Sequence, residues 1–315
     1  MSADRVLCLS GGVGGAKLLL GLQRVLPPGA LTAVVNTGDD FDHLGLRICP
    51  DVDTALYTLS GLANPGLGWG RRDETWHFME TLGELGGETW FRLGDADLAL
   101  HVARTRRLQQ GETMTAITAE IAARFAIPST VLPMSDDRVA TLVVTDEGEL
   151  PFQDYFVRLR CEPVLRGCRF AGAERAQPAP AVVAALREPL RAILIAPSNP
   201  WLSIAPILAV PGMRELLRQN GAPVIAVTPV IGGNAVKGPT AKIMAELGLA
   251  VTPATVAEFY QGVIDGFLLD SRDAASQQTL PVRHAVADTL MTSDADKERV
   301  ARAALALADA LGRSC

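Results

Sequence analysis

No apolar run in the chain reaches the roughly 18 residues needed to cross a bilayer. Nor does the N-terminus carry a charged segment followed by a long apolar stretch and a cleavage site; Val6–Leu9 is too short and reads as a strand. These absences argue against a membrane span and an export signal. Basic charge is not in excess either: 29 Lys and Arg against 35 Asp and Glu give a net charge of −6, which leaves no footprint for nucleic acid. The five cysteines (Cys8, Cys49, Cys161, Cys168 and Cys315) are odd in number and scattered, and Cys161 and Cys168 lack zinc-ligand spacing. Free thiols in a reduced, cytoplasmic compartment are expected. His43, His77, His101 and His284 show no metal-binding spacing, so each reads as structural or exposed. No repeat or low-complexity tract is evident. What remains is a 315-residue chain, 48% hydrophobic and 20% charged, with the make-up of a globular enzyme.

Against this background one segment stands out, Ser10-Gly11-Gly12-Val13-Gly14-Gly15-Ala16-Lys17. It follows the apolar run Val6–Leu9 and leads into Leu18, Leu22 and Val25, which recur at helical spacing. A glycine-rich turn from strand to helix lets backbone N–H groups approach an anion, and the helix N-terminus adds about half a positive charge. Gly11, Gly12, Gly14 and Gly15 are therefore candidate phosphate contacts, with Lys17 as a point charge. The plainer alternative is a tight turn with close strand–helix packing. Neither common template fits: Ala16 precedes Lys17 where a Walker loop has Gly, and Lys17 stands where the dinucleotide fingerprint has its third Gly. Phosphate is expected; its carrier is not specified.

Further short apolar runs end in polar turns: Leu31–Val35 before Asn36-Thr37-Gly38-Asp39-Asp40, Ala192–Ile195 before Pro197-Ser198-Asn199-Pro200, Val224–Val227 before Thr228-Pro229, and Phe267–Leu269 before Asp270. Runs apolar throughout suit strands covered on both faces. Helical patterns lie between them, such as Ile117, Ile121 and Phe125, or Val300, Ala304, Leu307 and Leu311. The alternation predicts an α/β fold: a doubly wound, mostly parallel, Rossmann-like sheet whose polar turns converge at the carboxyl ends of the strands. Residues of about 58–125, with Trp69, Trp76 and Trp90 among glycines, predict a helical lid or side subdomain inserted in a core of about 1–57 and 126–315. A second departure covers about 148–190.

Asp39 and Asp40 follow a strand, and Pro50-Asp51-Val52-Asp53 comes soon after. An extended segment would point Asp51 and Asp53 to one side. Acids facing a phosphate loop repel the ligand unless a cation intervenes, and Mg²⁺ bridges carboxylates to phosphates in this way. Asp39 and Asp53 are the preferred candidate ligands, with Asp40 and Asp51 left even. The alternative is that these acids cap turns and helix starts, Asp53 preceding Thr54-Ala55-Leu56-Tyr57. Ser198-Asn199, Met134-Ser135-Asp136-Asp137 and the loop Ile231-Gly232-Gly233-Asn234 to Lys237-Gly238-Pro239 are either turn chemistry or ligand contacts.

Taken in order, the glycine segment, Asn36–Asp40, Pro50–Thr54, Leu93-Gly94-Asp95-Ala96-Asp97, Leu132–Asp137, Phe152-Gln153-Asp154, Ala196–Pro200 and Pro211–Arg214 resemble the CofD-like 2-phospho-L-lactate transferases of coenzyme F420 biosynthesis. The resemblance runs from about residue 5 to 273 and implies a single transferase domain. It implies a Mg²⁺-dependent phosphotransferase for substituted phosphate groups. A phosphorylated three-carbon acid would pass from a guanylyl diphosphate donor to the ribityl hydroxyl of the deazaflavin Fo, releasing GMP. By the same resemblance Fo contacts fall on Asp53 and Arg92, metal and catalytic roles on Asp39 and Asp53, and nucleotide contacts on the glycine loop, Ser198 and Asn199. A homodimer is also implied. Ala96 replaces an Arg frequent in the family, so a positive charge is missing beside Asp95 and Asp97. Gly38-Asp39-Asp40 and Gly68-Trp69-Gly70 are closer to the bacterial, phosphoenolpyruvate-type form. The competing expectation is a non-catalytic nucleotide-sugar-binding regulator, because a related family shares the glycine loop.

Overall fold

The structure, a computed structural model, describes residues 4–66, 69–235 and 239–312. Gly68, Lys237, Gly238 and Cys315, singled out above, lie outside them. The main sheet has seven strands: β1 (Val6–Ser10), β2 (Leu31–Val35), β3 (Thr130–Pro133), β4 (Ala192–Ile195), β5 (Val224–Val227), β6 (Gly266–Asp270) and β7 (Arg283–Ala287). Every neighbouring pair is parallel, and the order across the sheet is β7-β6-β5-β4-β1-β2-β3. Strand order reverses between β1 and β4, which opens a crevice at their carboxyl ends.

Alternation along the strands divides the core in two. Val6 and Cys8 of β1 join Ala33, Val35 and Leu194 in one cluster, while Leu7 and Leu9 join Val34, Ile193 and Ile195 in the other. This is the period of two expected when both faces of a sheet are covered. The first face packs on α1 (Gly12–Val25), α2 (Pro50–Leu59) and the C-terminal helix Asp294–Gly312.

Between α2 and β3 come α3 (His77–Glu84), α4 (Asp95–Gln109) and α5 (Met114–Arg124). Met114 and Ala122 of α5 enter the same cluster as α1, so this helix covers the sheet. Helix α4 instead contributes Asp97 and His101 to the crevice wall, and it is tied to the start of α3 by reciprocal capping. Asp95 accepts from the amides of His77 and Phe78 and from the Thr75 hydroxyl, and Glu74 accepts from the amides of Ala96 and Asp97 at 2.8 and 2.9 Å. Carboxylates at both helix starts satisfy otherwise orphaned donors.

The stretch around 148–190 supplies Gly148–Pro151 and Leu165–Ala171 to an antiparallel sheet with the preceding strand Ala140–Thr145, and then forms the helix Pro180–Arg187. Cys8, Cys49, Cys161 and Cys168 are free thiols. Among the described residues no helix is long and apolar enough to cross a membrane.

Candidate active site

The crevice beside β1 and β4 is a cavity of about 670 Å³. Gly11, Gly12, Gly14, Lys17, Asp39, Asp53, Arg92, Ser198 and Asn199 all line it, whereas Gly15 does not. The glycine segment is tighter than a loop, because β1 ends at Ser10 and α1 begins at Gly12. A Cβ at Gly14 would stand 2.7 Å from the Pro197 carbonyl oxygen, and one at Gly15 would stand 2.4 Å from Ser10 Oγ and 2.5 Å from Ser198 Oγ. Gly15 thus serves strand–helix packing, the plainer of the two readings, while its neighbours face the cavity. Two loop amides already have partners: Gly11 N–H donates to Ser198 Oγ at 3.1 Å, and Gly12 N–H donates to Asp51 at 2.8 Å. Lys17 Nζ reaches the Met291 carbonyl at 2.7 Å, tying α1 to the strap Thr289–Met291 on the cavity rim.

Asp51 and Asp53 diverge, because the segment is helical. Two residues in a helix are about 200° apart, whereas two in a strand share a face. Asp51 turns to the glycine segment, accepting from Gly12 and from Asn36 Nδ2 at 3.0 Å. Asp53 turns to α4, where the Arg104 guanidinium grips both of its oxygens.

Two carboxylate environments result. Asp39 is buried on the cavity wall, and its Oδ1 has no hydrogen-bond partner among the described residues. Burial pushes its carboxyl well above the ordinary range, Asp51 adds to the push, and Asn36 offsets part of it. Asp51 is pushed up to about 6, also by burial. An orphaned carboxylate oxygen next to a second acid, at an opening to solvent, fits a hard divalent cation with oxygen ligands. Asp40 lies behind this wall, away from the cavity lining; burial lifts it to about 7 while Arg47, 3.6 Å away, pulls it down. Asp53 differs from Asp39 because the chain itself supplies a counter-charge.

Residues the sequence reading left aside complete that second environment. His101 sits between Asp53 and Asp97, its Nδ1 3.7 Å from Asp53 Oδ2 and its Nε2 3.3 Å from Asp97 Oδ2. The Tyr57 hydroxyl donates to Asp97 Oδ1 at 2.5 Å. Asp53, Asp97 and His101 bring ligand atoms within 4.8 Å of one another. A metal ion there would lie against the Arg104 guanidinium, and like charges at that range repel strongly in a buried setting. A spacing signal was present: Asp97, His101 and Arg104 fall on one helical face, as do Asp53 and Tyr57.

The remaining wall is aromatic. Trp69, Trp90, Phe91, Phe152 and Phe156 line the cavity. Trp90 and Phe91 pack edge to face at 5.7 Å, and Phe152 and Phe156 stack at 5.3 Å. Arg92 lies over the ring of Trp76, 4.3 Å from its centroid, so Trp76 supports the cavity from behind. Phe156 sits on a π-helical turn, Asp154–Arg158, within the second departure. Thr228, Pro229, Ile231 and Pro239 also line the cavity, whereas the turns at Ser135–Asp137 and Asp270 stay out of it. Ser135 and Asp136 bond to the Gln177 carbonyl and the Thr115 amide, and Asp270 holds Thr289 and Arg272.

Comparison with known proteins accords with this geometry. The family model described as 2-phospho-L-lactate transferase CofD matches residues 6–310. A phosphoenolpyruvate transferase of Streptomyces coelicolor is 42% identical over 314 residues, covering 97% of this chain and 98% of the relative. A 2-phospho-L-lactate transferase of Methanosarcina mazei is 41% identical over 299 residues, covering 94% and 98%. A crystal structure of a UPF0052-family protein from Bacillus halodurans superposes with a TM-score of 0.63 at 16% identity, covering 97% of this chain and 99% of that one. At that identity the likeness speaks for the fold alone.

Proposed function

The chain belongs to the CofD family of 2-phospho-L-lactate transferases, and from that premise we propose a reaction for the cavity. A phosphorylated three-carbon acid passes from a guanylyl diphosphate donor to the terminal ribityl hydroxyl of Fo. The hydroxyl oxygen bonds to the phosphorus that bears the acid, the bond from that phosphorus to the bridging oxygen breaks, GMP leaves with the bridging oxygen, and the hydroxyl proton is released to solvent. One observation carries the reading: a single cavity joins a glycine-rich helix start and an unpartnered Asp39 to an aromatic wall holding Asp53 and Arg92.

Phosphoryl transfer asks for positioning and charge neutralisation more than covalent help. Asp39, with Asp51 beside it, would hold Mg²⁺, which when bound offsets the charge of the diphosphate. With Gly11 and Gly12 N–H engaged by Ser198 and Asp51, the amides of Val13 and Gly14 in the first turn of α1 would meet the same phosphates. Asp53 accepts a hydrogen bond from the attacking hydroxyl and orients it, and Arg92 with Trp90 and Phe91 receives the planar acceptor ring. Enclosure by the aromatic wall keeps water from the diphosphate. The test is mass spectrometry of products made from Fo, Mg²⁺ and each guanylylated donor: phosphoenolpyruvyl, 2-phospho-L-lactyl and 3-phosphoglyceryl. A phosphodiester of Fo supports the reading and identifies the acid. No product with any donor overturns it, and nucleotide-sugar binding without affinity for Fo would point to a regulator.

A further inference from the structure

Arg104 is fully buried and absent from the cavity lining, yet it reaches a carboxylate that does line it. Its Nη1 donates to Asp53 Oδ2 at 3.0 Å while its Nη2 grips Oδ1. The same Nη1 meets His101 Nδ1 at 3.3 Å. A guanidinium has no acceptor, so Nδ1 must accept there, which places the ring proton on Nε2. That proton then faces Asp97 Oδ2 at 3.3 Å, and Asp97 takes the Tyr57 hydroxyl on its other oxygen. The polarity runs without conflict from Tyr57 to Asp53, although among the described residues His101 Nε2 approaches Asp97 without forming a hydrogen bond and Arg104 Nε has no partner.

Such a network is poor value as mere structure. A buried ion pair seldom improves on apolar packing of the same volume. What it does supply is a fixed carboxylate plane, since a two-pronged fork removes the rotation that a single hydrogen bond would allow. We propose that Arg104, His101 and Asp97 of α4 are positioning residues for Asp53, locking its carboxylate in the orientation that aligns the attacking hydroxyl. The inference rests on the transfer reaction proposed above. It also joins two parts of the molecule: Asp97 opens the helix whose first amides are held by Glu74, in the segment that carries Arg92 and the aromatic wall.

The test uses the full chain with Fo, Mg²⁺ and whichever guanylylated donor gives product with the wild type. A wild type that makes no product with any donor fails the transfer reading; the positioning claim is read from the variants against an active wild type. In Arg104→Lys, which keeps the charge and loses the fork, kcat per Fo-binding site is expected to fall about 100-fold, the scale of an ångström of misalignment. KM for Fo and for the donor should stay within about threefold, because only alignment is lost. Asp97→Asn, which disturbs the far end, is expected to lower kcat per site about fivefold with the same constant KM values. Counting sites by Fo fluorescence titration removes any loss that is merely unfolded protein. If Arg104→Lys gives no cooperative melt, Asp97→Asn decides. Wild-type kcat per site in either folded variant overturns the proposal.

Discussion

Asp39 and Asp53 line one cavity, both buried, and the chain treats them in opposite ways. Asp39, on the wall of the sheet, has an oxygen with no partner and a second acid nearby. Asp53, on α2 and facing α4, has both oxygens on a guanidinium. The difference teaches how one site can handle two ligands. A wall that must receive a phosphate with its cation keeps charge uncompensated until they arrive. A wall that must align a neutral hydroxyl is neutralised in advance, since any looseness there costs rate.

The comparison is sharpest in the amide substitutions. Both Asp39→Asn and Asp53→Asn should reduce transfer by about 1,000-fold, the scale of losing a group that acts on the transition state. Their stabilities should then part. Asp53→Asn strands the charge of Arg104 in the core and should cost about 3–5 kcal/mol, read from urea denaturation. Asp39→Asn removes a carboxylate with no counter-charge and should melt at or above the wild-type temperature. Equal destabilisation of the two would break the contrast.

Next in size is the acceptor wall alone. Arg92→Ala should weaken Fo binding about tenfold, the scale of losing a partly desolvated cation–π-supported contact, and leave GDP binding unchanged by calorimetry. Equal losses for the two ligands would remove Arg92 from the acceptor side.

The smallest effect is on pH. Asp51 and Asp40 are raised to about 6 and about 7, and Asp39 is raised too, so the folded protein binds more protons than the unfolded chain across this window. Stability from these groups is complete below about pH 3.9, their unfolded value, and is lost as pH rises through about 7. The melting temperature of the metal-free protein should therefore fall by a few degrees between about pH 5 and 8. Mg²⁺ should restore it more at pH 8 than at pH 5, because the cation needs ionised ligands. A Mg²⁺ shift independent of pH would separate the metal from these carboxylates.

Much of this was legible beforehand. The central strands announce themselves, since Leu31–Val35, Ala192–Ile195 and Val224–Val227 are apolar throughout and end in turn residues. The outer strands β3 and β7 were not visible. Thr130–Pro133 holds a proline, and Arg283–Ala287 carries Arg283 and His284, a mixed pattern that edge strands tolerate. Cavity-lining residues were legible where a motif exposes them, as at Gly11, Gly12, Gly14, Asp39 and Arg92. His101 was passed over because metal spacing was sought within one segment, whereas its partners lie on α2 as well as on α4.

What the sequence determined by itself is the type of chemistry: glycines and acids after strands belong to phosphate, and that follows from local geometry along a few residues. What only the tertiary structure decided is the state of each acid. The half-turn of α2 that sends Asp51 toward the glycine segment and Asp53 toward Arg104 is a local fact. The guanidinium awaiting Asp53, 51 residues further along the chain, is not. Electrostatic environment depends on distance in space, and a sequence records distance only along the chain.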